Sequence, residues 1–217
     1  VLRPVPTGWE MTGAGKNTRD PEGILDLGNS GTGIRLLAGV IAGQGRYAVL
    51  TGDESLRRRP MRRIADPLTA MGATVLLRDG EFPPVAVRGG AIRPGKHRLA
   101  VASAQVKSCI LLAALGLQEG EVGVEEPSAS RDHTERLMQW LGMPISREAG
   151  RVTLRAPIPP IPAFRFSVPA DFSAASFFAV AALLAQGSDV RLEGVLMNPT
   201  RTGALDALRA MGARLEI

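Results

Sequence analysis

Apolar positions in this chain recur in a fixed order of runs. Three long runs, Gly31 to Ala42, Ala104 to Leu117 and Ser173 to Ala185, start at small-residue turns and have helical length. Each is followed by a glycine (Gly45, Gly120, Gly187) and then by a short apolar run of strand length: Tyr47 to Leu50, Val122 to Val124, Val190 to Leu192. Ile110 to Leu115 and Phe177 to Leu184 are apolar nearly all round, which predicts helices buried on most sides. A second phrase then recurs, a short amphipathic run ending in Met or Leu and closed by Gly: Leu68 to Ala73, Leu137 to Met143, Leu208 to Ala213. Its glycines, Gly72, Gly142 and Gly212, fall at intervals of 70 residues and predict left-handed helix C-caps. Strands are expected after them at Thr74 to Leu77 and Val152 to Leu154, with a further one at Val85 to Arg88. The unit is helix–strand–helix–strand, repeated three times. It predicts an α/β (α+β) fold in which helices pack against sheets.

The run Ala156 to Ala163 carries four prolines and suits neither a helix interior nor a central strand, so it is read as an extended connection near a domain boundary. The composition, 45% hydrophobic and 22% charged over 217 residues, is that of a globular domain and excludes a disordered tail or a fibrous repeat. One cysteine, Cys109, permits no internal disulfide, and with only His97 and His133 beside it no zinc pattern is available. A reducing, cytoplasmic setting is therefore expected. Apolar stretches such as Cys109 to Leu115 are too short to span a bilayer, and no signal peptide is visible. The first residue is Val, which points to a start processed or cut away.

Charge narrows the partners. The formal net charge is +5 and the pI about 10.3, mostly through Arg. Aromatics are 4% of residues, too few to interleave with the Arg cluster 57–63 as a stacking platform, so nucleic acid is not expected, and the basic balance is either an ordinary solvated surface or one for small anionic ligands. An Arg recurs near the start of each second helix: Arg59 before Pro60, Arg131 before Asp132, Arg201 after Thr200. Pro60 reads as a first helical residue, and Asp132, Thr134 and Thr200 as caps. A helix start already carries positive potential, so an Arg there calls for an anion. The alternative is that each Arg pairs with a nearby carboxylate.

Three turns deserve chemistry. Leu27-Gly28-Asn29-Ser30-Gly31-Thr32-Gly33 is a Gly-rich turn whose backbone can approach a phosphate or carboxylate closely, although helix turns of this kind also occur without ligands. No Lys-Ser/Thr follows it, so it is not a P-loop. Ser103, Ala104 and Gln105 occupy the same place in the second repeat, where Ser103 and Gln105 can bond ligand oxygens. A simple Ser cap is the alternative, and Lys107 would face another side of the helix. In Ser130-Arg131-Asp132-His133-Thr134-Glu135, Asp132 and His133 are sequence neighbours and poorly placed to act on one another, so His133 is read as a hydrogen-bonding or packing residue. Cys109, in an apolar helix, is read as core.

Taken together, LGNSGTGIR (Leu27 to Arg35), LTGDESLRRRPM (Leu50 to Met61), ASAQVK (Ala102 to Lys107), SRDHTER (Ser130 to Arg136), Asp171 to Phe178 and NPTRTG (Asn198 to Gly203) resemble the 5-enolpyruvylshikimate-3-phosphate synthase family, in that family's order. The resemblance implies two domains, each of three repeated α/β units around a pseudo-threefold axis, with substrates in the cleft between them. It implies transfer of the enolpyruvyl group from phosphoenolpyruvate to shikimate 3-phosphate by addition and elimination, without metal or other cofactor. On that resemblance Arg59 binds phosphoenolpyruvate with backbone at Gly31. Ser103, Ala104 through its backbone, Gln105, Ser130 and Arg131 contact shikimate 3-phosphate, and Asn29 shapes the first turn. No residue of the segment is given a catalytic role. Many members have Pro where this chain has Leu36. Gly31 fits the form sensitive to glyphosate, the expected inhibitor.

The resemblance places 1–167 in most of a first domain lacking its amino-terminal segment, and 168–217 at the beginning of a second. The remaining part of the enzyme would be needed to complete the cleft, so the chain alone is expected to be inactive. UDP-N-acetylglucosamine enolpyruvyl transferase is the nearest alternative, but that family carries a Cys on a mobile loop. A non-catalytic phosphate-ligand-binding module and an RNA-end-processing relative are the others.

Overall fold

The computed structural model describes residues 2–15, 18–148 and 150–217. The chain divides into two compact units, Val1–Ser130 with Thr134–Ile161, and Arg131–His133 with Pro162–Ile217.

The first unit opens with an antiparallel hairpin, β1 (Leu2–Val5) and β2 (Gly8–Met11). Then come β3 (Leu25–Asp26), α1 (Gly31–Gly43), β4 (Tyr47–Thr51), α2 (Glu54–Arg57), α3 (Arg62–Ala70), β5 (Thr74–Arg78) and β6 (Phe82–Arg88). The second copy follows as β7 (Gly95–Arg98), α4 (Ala104–Ala113) with a 3-10 turn Ala114–Gly116, β8 (Glu121–Glu125), α5 (His133–Trp140), β9 (Ile145–Glu148) and β10 (Arg151–Arg155). The two four-stranded sheets have the same plan, β3-β4-β6-β5 and β7-β8-β10-β9. In each the first pair is parallel and the others antiparallel. The repeat therefore holds in its first two copies, and it is richer than the pattern of runs suggests. β3 is only two residues long, and β7, Gly-Lys-His-Arg, has no apolar alternation to betray it.

Gly72, Gly142 and Gly212 have φ of 103°, 73° and 91°, the left-handed conformation expected where these helices stop. Pro60 does not begin a helix. α3 starts at Arg62 after Met61, whose N–H is taken by the Glu81 carbonyl at 2.7 Å. Thr202, not Thr200, is the N-cap residue of α7 (Gly203–Ala210).

The core is one continuous apolar cluster drawn from both copies. It includes Ile34 and Ala38 of α1, Leu50 of β4, Ile64 and Leu68 of α3, Val85 and Val87 of β6, Cys109 to Leu111 of α4, and Val122 and Val124 of β8. At its centre α1 lies against α4 with almost no side chain between them. A Cβ on Gly39 would overlap the Cys109 carbonyl, and one on Gly43 would lie 2.5 Å from the Ala113 carbonyl oxygen. α4 is buried continuously from Val106 to Leu111, as its all-round apolar sequence predicts.

The second unit holds α6 (Phe172–Leu184), capped by Asp171, and α7, with a single parallel bridge Ala170↔Val195. Two expectations fail here. Val190 to Leu192 is irregular backbone, and α6 is largely exposed, Phe177 at 79% and Leu184 at 83%. α6 is as apolar all round as α4, but among the described residues its unit contains no sheet to lay over it.

The glycine contact is testable. Gly39→Ala should destabilise the chain by about 1–3 kcal/mol through overpacking against rigid backbone. A lowered melting temperature is expected, and an unchanged one would show that the helices can part freely.

Candidate functional site

The turn before α1 is held by its own short side chains. Asp26 accepts from the Gly28 N–H at 2.8 Å, and Ser30 Oγ caps the helix through Gly33 N–H at 2.9 Å. Asp53 caps α2 through Leu56 N–H at 2.7 Å, and its other oxygen accepts from Asn29 Nδ2 at 2.7 Å. That second bond fixes the orientation of the Asn29 amide. With Nδ2 committed to Asp53, Oδ1 faces outward and accepts from Arg59 Nη2. Arg59 also reaches Ser55 Oγ at 3.4 Å. Arg59 thus has amide and hydroxyl partners and no carboxylate bonded directly to it among the described residues.

Gly31 sits between two guanidinium groups. A Cβ there would lie 2.7 Å from Arg59 Nη1 and 3.1 Å from Arg35 Nη1. The absent side chain is what allows both cations to approach the start of α1.

Arg35 had no assigned role in the motif that contains it. One turn beyond Gly31, it donates through Nη1 to Gln105 Oε1 at 2.7 Å and to Gly31 O at 3.3 Å, and through Nη2 to Pro60 O at 3.3 Å. Burial lowers its pKa, helped by the charges of Arg59 and Arg63. Gln105 donates in turn to Thr32 Oγ1 at 2.8 Å. Arg35 and Gln105 thereby tie the first turns of α1 and α4 together. The i, i+4 spacing of Gly31 and Arg35 could have suggested that they share a helix face; Gln105 as its partner could not be read locally.

At the start of α4, Ser103 Oγ accepts from Val106 N–H at 3.4 Å, so the simple cap is present. Ala104 is the first helical residue, where backbone N–H groups lack intrahelical acceptors. Ser103 N–H and Ser130 Oγ–H both donate to Glu126 Oε1, at 3.2 and 2.6 Å. Lys107 does face away from this surface. It is buried, with Nζ 2.6 Å from Glu126 and 2.7 Å from Glu135.

Gly31, Asn29, Arg59, Ser103, Ala104, Gln105 and Ser130 are therefore all in the first unit, and hydrogen bonds link Asn29 to Arg59 and Ser103 to Ser130 through Glu126. Arg131 falls in the second unit. There the buried Asp132 accepts from Asn198 Nδ2 at 2.7 Å, and His133 Nδ1 lies 3.0 Å from the same nitrogen. His133 is thus engaged in a polar cluster. Arg201 contacts Ser173 Oγ and lies 4.0 Å from Asp171, so the carboxylate-pairing alternative describes it. Cys109 is fully buried, and burial pushes its thiol up to about 12, which suits core and not a nucleophile.

The fold and these turns define a repeated α/β protein in which Arg59 and Arg35 are held by the amides of Asn29 and Gln105 at the start of α1. The EPSP synthase family model, 3-phosphoshikimate 1-carboxyvinyltransferase, matches residues 6–217. A 3-phosphoshikimate 1-carboxyvinyltransferase of Thermus thermophilus is 56% identical over 209 residues, 95% of this chain and 48% of that protein. One of Granulibacter bethesdensis is 49% identical and matches 100% of this chain and 49% of its own length. The structure of EPSP synthase from Acinetobacter baumannii superposes with a TM-score of 0.86 at 40% identity, over 100% of this chain and 49% of that one. The chain belongs to the EPSP synthase family, and it spans about half the length of the relatives it matches.

Asp53 offers a local test. The Leu56 N–H and then the Asn29 amide hold its carboxyl below the ordinary value of 3.8. A depressed folded pKa stabilises above the ordinary value, and that contribution is lost as pH falls through the folded one. A carbon-detected NMR titration should give a midpoint below 3.8, moved upward in Asn29→Ala. An identical midpoint in both proteins would remove Asn29 from the network.

Proposed function

We propose that this chain supplies the phosphate-binding surface of an enzyme that transfers the enolpyruvyl group of phosphoenolpyruvate to shikimate 3-phosphate. The observation that supports it most is the Asn29–Arg59 bond beside Gly31, adjoining the Arg35–Gln105 bond. This is a cationic cradle with its donors oriented before any ligand arrives.

In the proposed reaction a hydroxyl of shikimate 3-phosphate attacks the central enolpyruvyl carbon and gives up its proton, while the methylene carbon gains a proton. The tetrahedral adduct then loses inorganic phosphate and that proton, which restores the vinyl group. Arg59 and the backbone at Gly31 hold phosphoenolpyruvate. Ser103, Ala104 N–H, Gln105, Ser130 and Arg131 hold shikimate 3-phosphate, with Gln105 facing both ligands. Oriented donors and fixed positive charge stabilise the charge that develops on the expelled phosphate. A non-catalytic binding module, the second reading, draws no support from the matches above. The UDP-N-acetylglucosamine alternative draws no support from the matches above. Glyphosate is the proposed inhibitor because Gly31 matches the sensitive form of the family, and a side chain there would crowd Arg59. The single buried cysteine fits the proposed cytoplasmic setting. Among the described residues no helix is long and apolar enough to cross a membrane.

In the complete enzyme, Arg59→Ala should weaken phosphoenolpyruvate binding and Arg131→Ala shikimate 3-phosphate binding. Each should lose about ten- to a hundred-fold, the worth of a charge-assisted contact. Calorimetry measures both, and unchanged affinity in either variant would refute that residue's role. An inhibition curve tests glyphosate: wild-type enzyme should be sensitive and Gly31→Ala less so, and equal curves would separate Gly31 from the inhibitor.

A further inference from the structure

Glu126 lies in no motif that carried the family resemblance, yet three donors converge on its carboxylate. Oε1 accepts from Ser103 N–H at 3.2 Å and Ser130 Oγ–H at 2.6 Å, and Oε2 pairs with Lys107 Nζ at 2.6 Å. The side chain is 7% exposed and Lys107 3%, so the arrangement is shielded from water. Lys107 is also clamped from the far side by Glu135, itself 1% exposed, at 2.7 Å. This neighbour is an ion pair and not a directed hydrogen bond, since neither Glu135 oxygen has a hydrogen-bond partner among the described residues.

We propose that Glu126 is the positioning residue of the shikimate 3-phosphate surface: it fixes Ser103 and Ser130 relative to one another and holds the Ser130 hydroxyl hydrogen until phosphate arrives. The proposal rests on the functional reading above. Its chemistry follows from donors and acceptors. Ser130 has one hydroxyl hydrogen, and in this structure it points at Glu126. A phosphate monoester dianion offers only acceptor oxygens, so Ser130 binds it by turning that hydrogen outward. Glu126 then still accepts from Ser103 N–H and still pairs with Lys107, so its charge stays compensated when the hydroxyl leaves. Ser103 needs no such exchange. Its Oγ already accepts from Val106, and its own hydrogen remains for a ligand. Lys107 explains why a carboxylate can stand behind a phosphate surface at all, because it neutralises Glu126 from the buried side.

Glutamine is the informative substitution. It keeps the shape of Glu126 but has one acceptor oxygen, whereas the donors approach from both ends of the carboxylate. Whichever way the amide turns, its NH2 group meets a group that can only donate, either Lys107 or the Ser103 N–H. The complete enzyme is assayed as wild type, Glu126→Gln, Ser130→Ala and the double variant. Glu126→Gln should raise the KM for shikimate 3-phosphate about ten-fold and leave that for phosphoenolpyruvate within about two-fold. The double variant should lose less than the two single losses combined, because both changes act on the Ser130 hydroxyl. Equal changes in both KM values, no change in either, or additive losses would overturn the proposal. If the wild-type enzyme shows no turnover, the functional reading fails, and Ser103 amide exchange in the 217-residue chain decides the rest. Faster exchange in Glu126→Gln supports the anchor, and unaltered exchange rejects it.

Discussion

Everything proposed for this surface depends on how closely α1 and α4 approach. Their contact is backbone on backbone, Gly39 against Cys109 and Gly43 against Ala113, and a methyl group at either glycine would have to displace main chain. Such contacts gain dispersion over many atom pairs and leave little room for sliding. Because the helices are locked at this depth, their first turns are brought side by side. Arg35 can then reach Gln105, 70 residues away in sequence, with a bond of 2.7 Å. The packing at the centre of the first unit and the geometry of its polar surface are one constraint seen at two places.

Arg59, Arg35 and Lys107 each have a defined partner. Arg59 is oriented by an amide that Asp53 has already oriented. Arg35 is satisfied by Gln105 and carbonyl oxygens, and remains a cation near Arg59 and Arg63. Lys107 is withdrawn into the interior and bound by two carboxylates. Breaking a buried pair of that kind leaves an uncompensated charge, which makes it a rigid support.

Much of this was legible from residues alone because it is local. The glycines at 72, 142 and 212 announce three helix ends, and the 70-residue period announces the repeated sheets. The turn motifs named Asn29, Gly31, Arg59, Ser103 and Gln105, all of which fall in the first unit. What stayed hidden is what local pattern cannot carry. β7 is a polar strand, recognisable only by the partner it pairs with. α4 and α6 have the same apolar character, yet one is core and the other exposed, because burial depends on what lies over a helix. Arg35 needed Gln105, and Glu126 needed Lys107 across 19 residues, before either could be given a purpose. Matching half-length segments of relatives supplied the family, while the hydrogen bonds supplied the reason its motifs sit where they do.

The claim that helix packing sets the site is tested most directly at a residue that touches no ligand. Gly39→Ala, built into the complete enzyme and assayed well below its melting temperature, separates the helix starts without altering any surface group. The account predicts that its KM for shikimate 3-phosphate rises by about ten-fold, as expected for a small misplacement of binding groups. An unchanged KM in a variant whose melting temperature has fallen would contradict it, and would show that the polar surface keeps its geometry independently of the glycine contact.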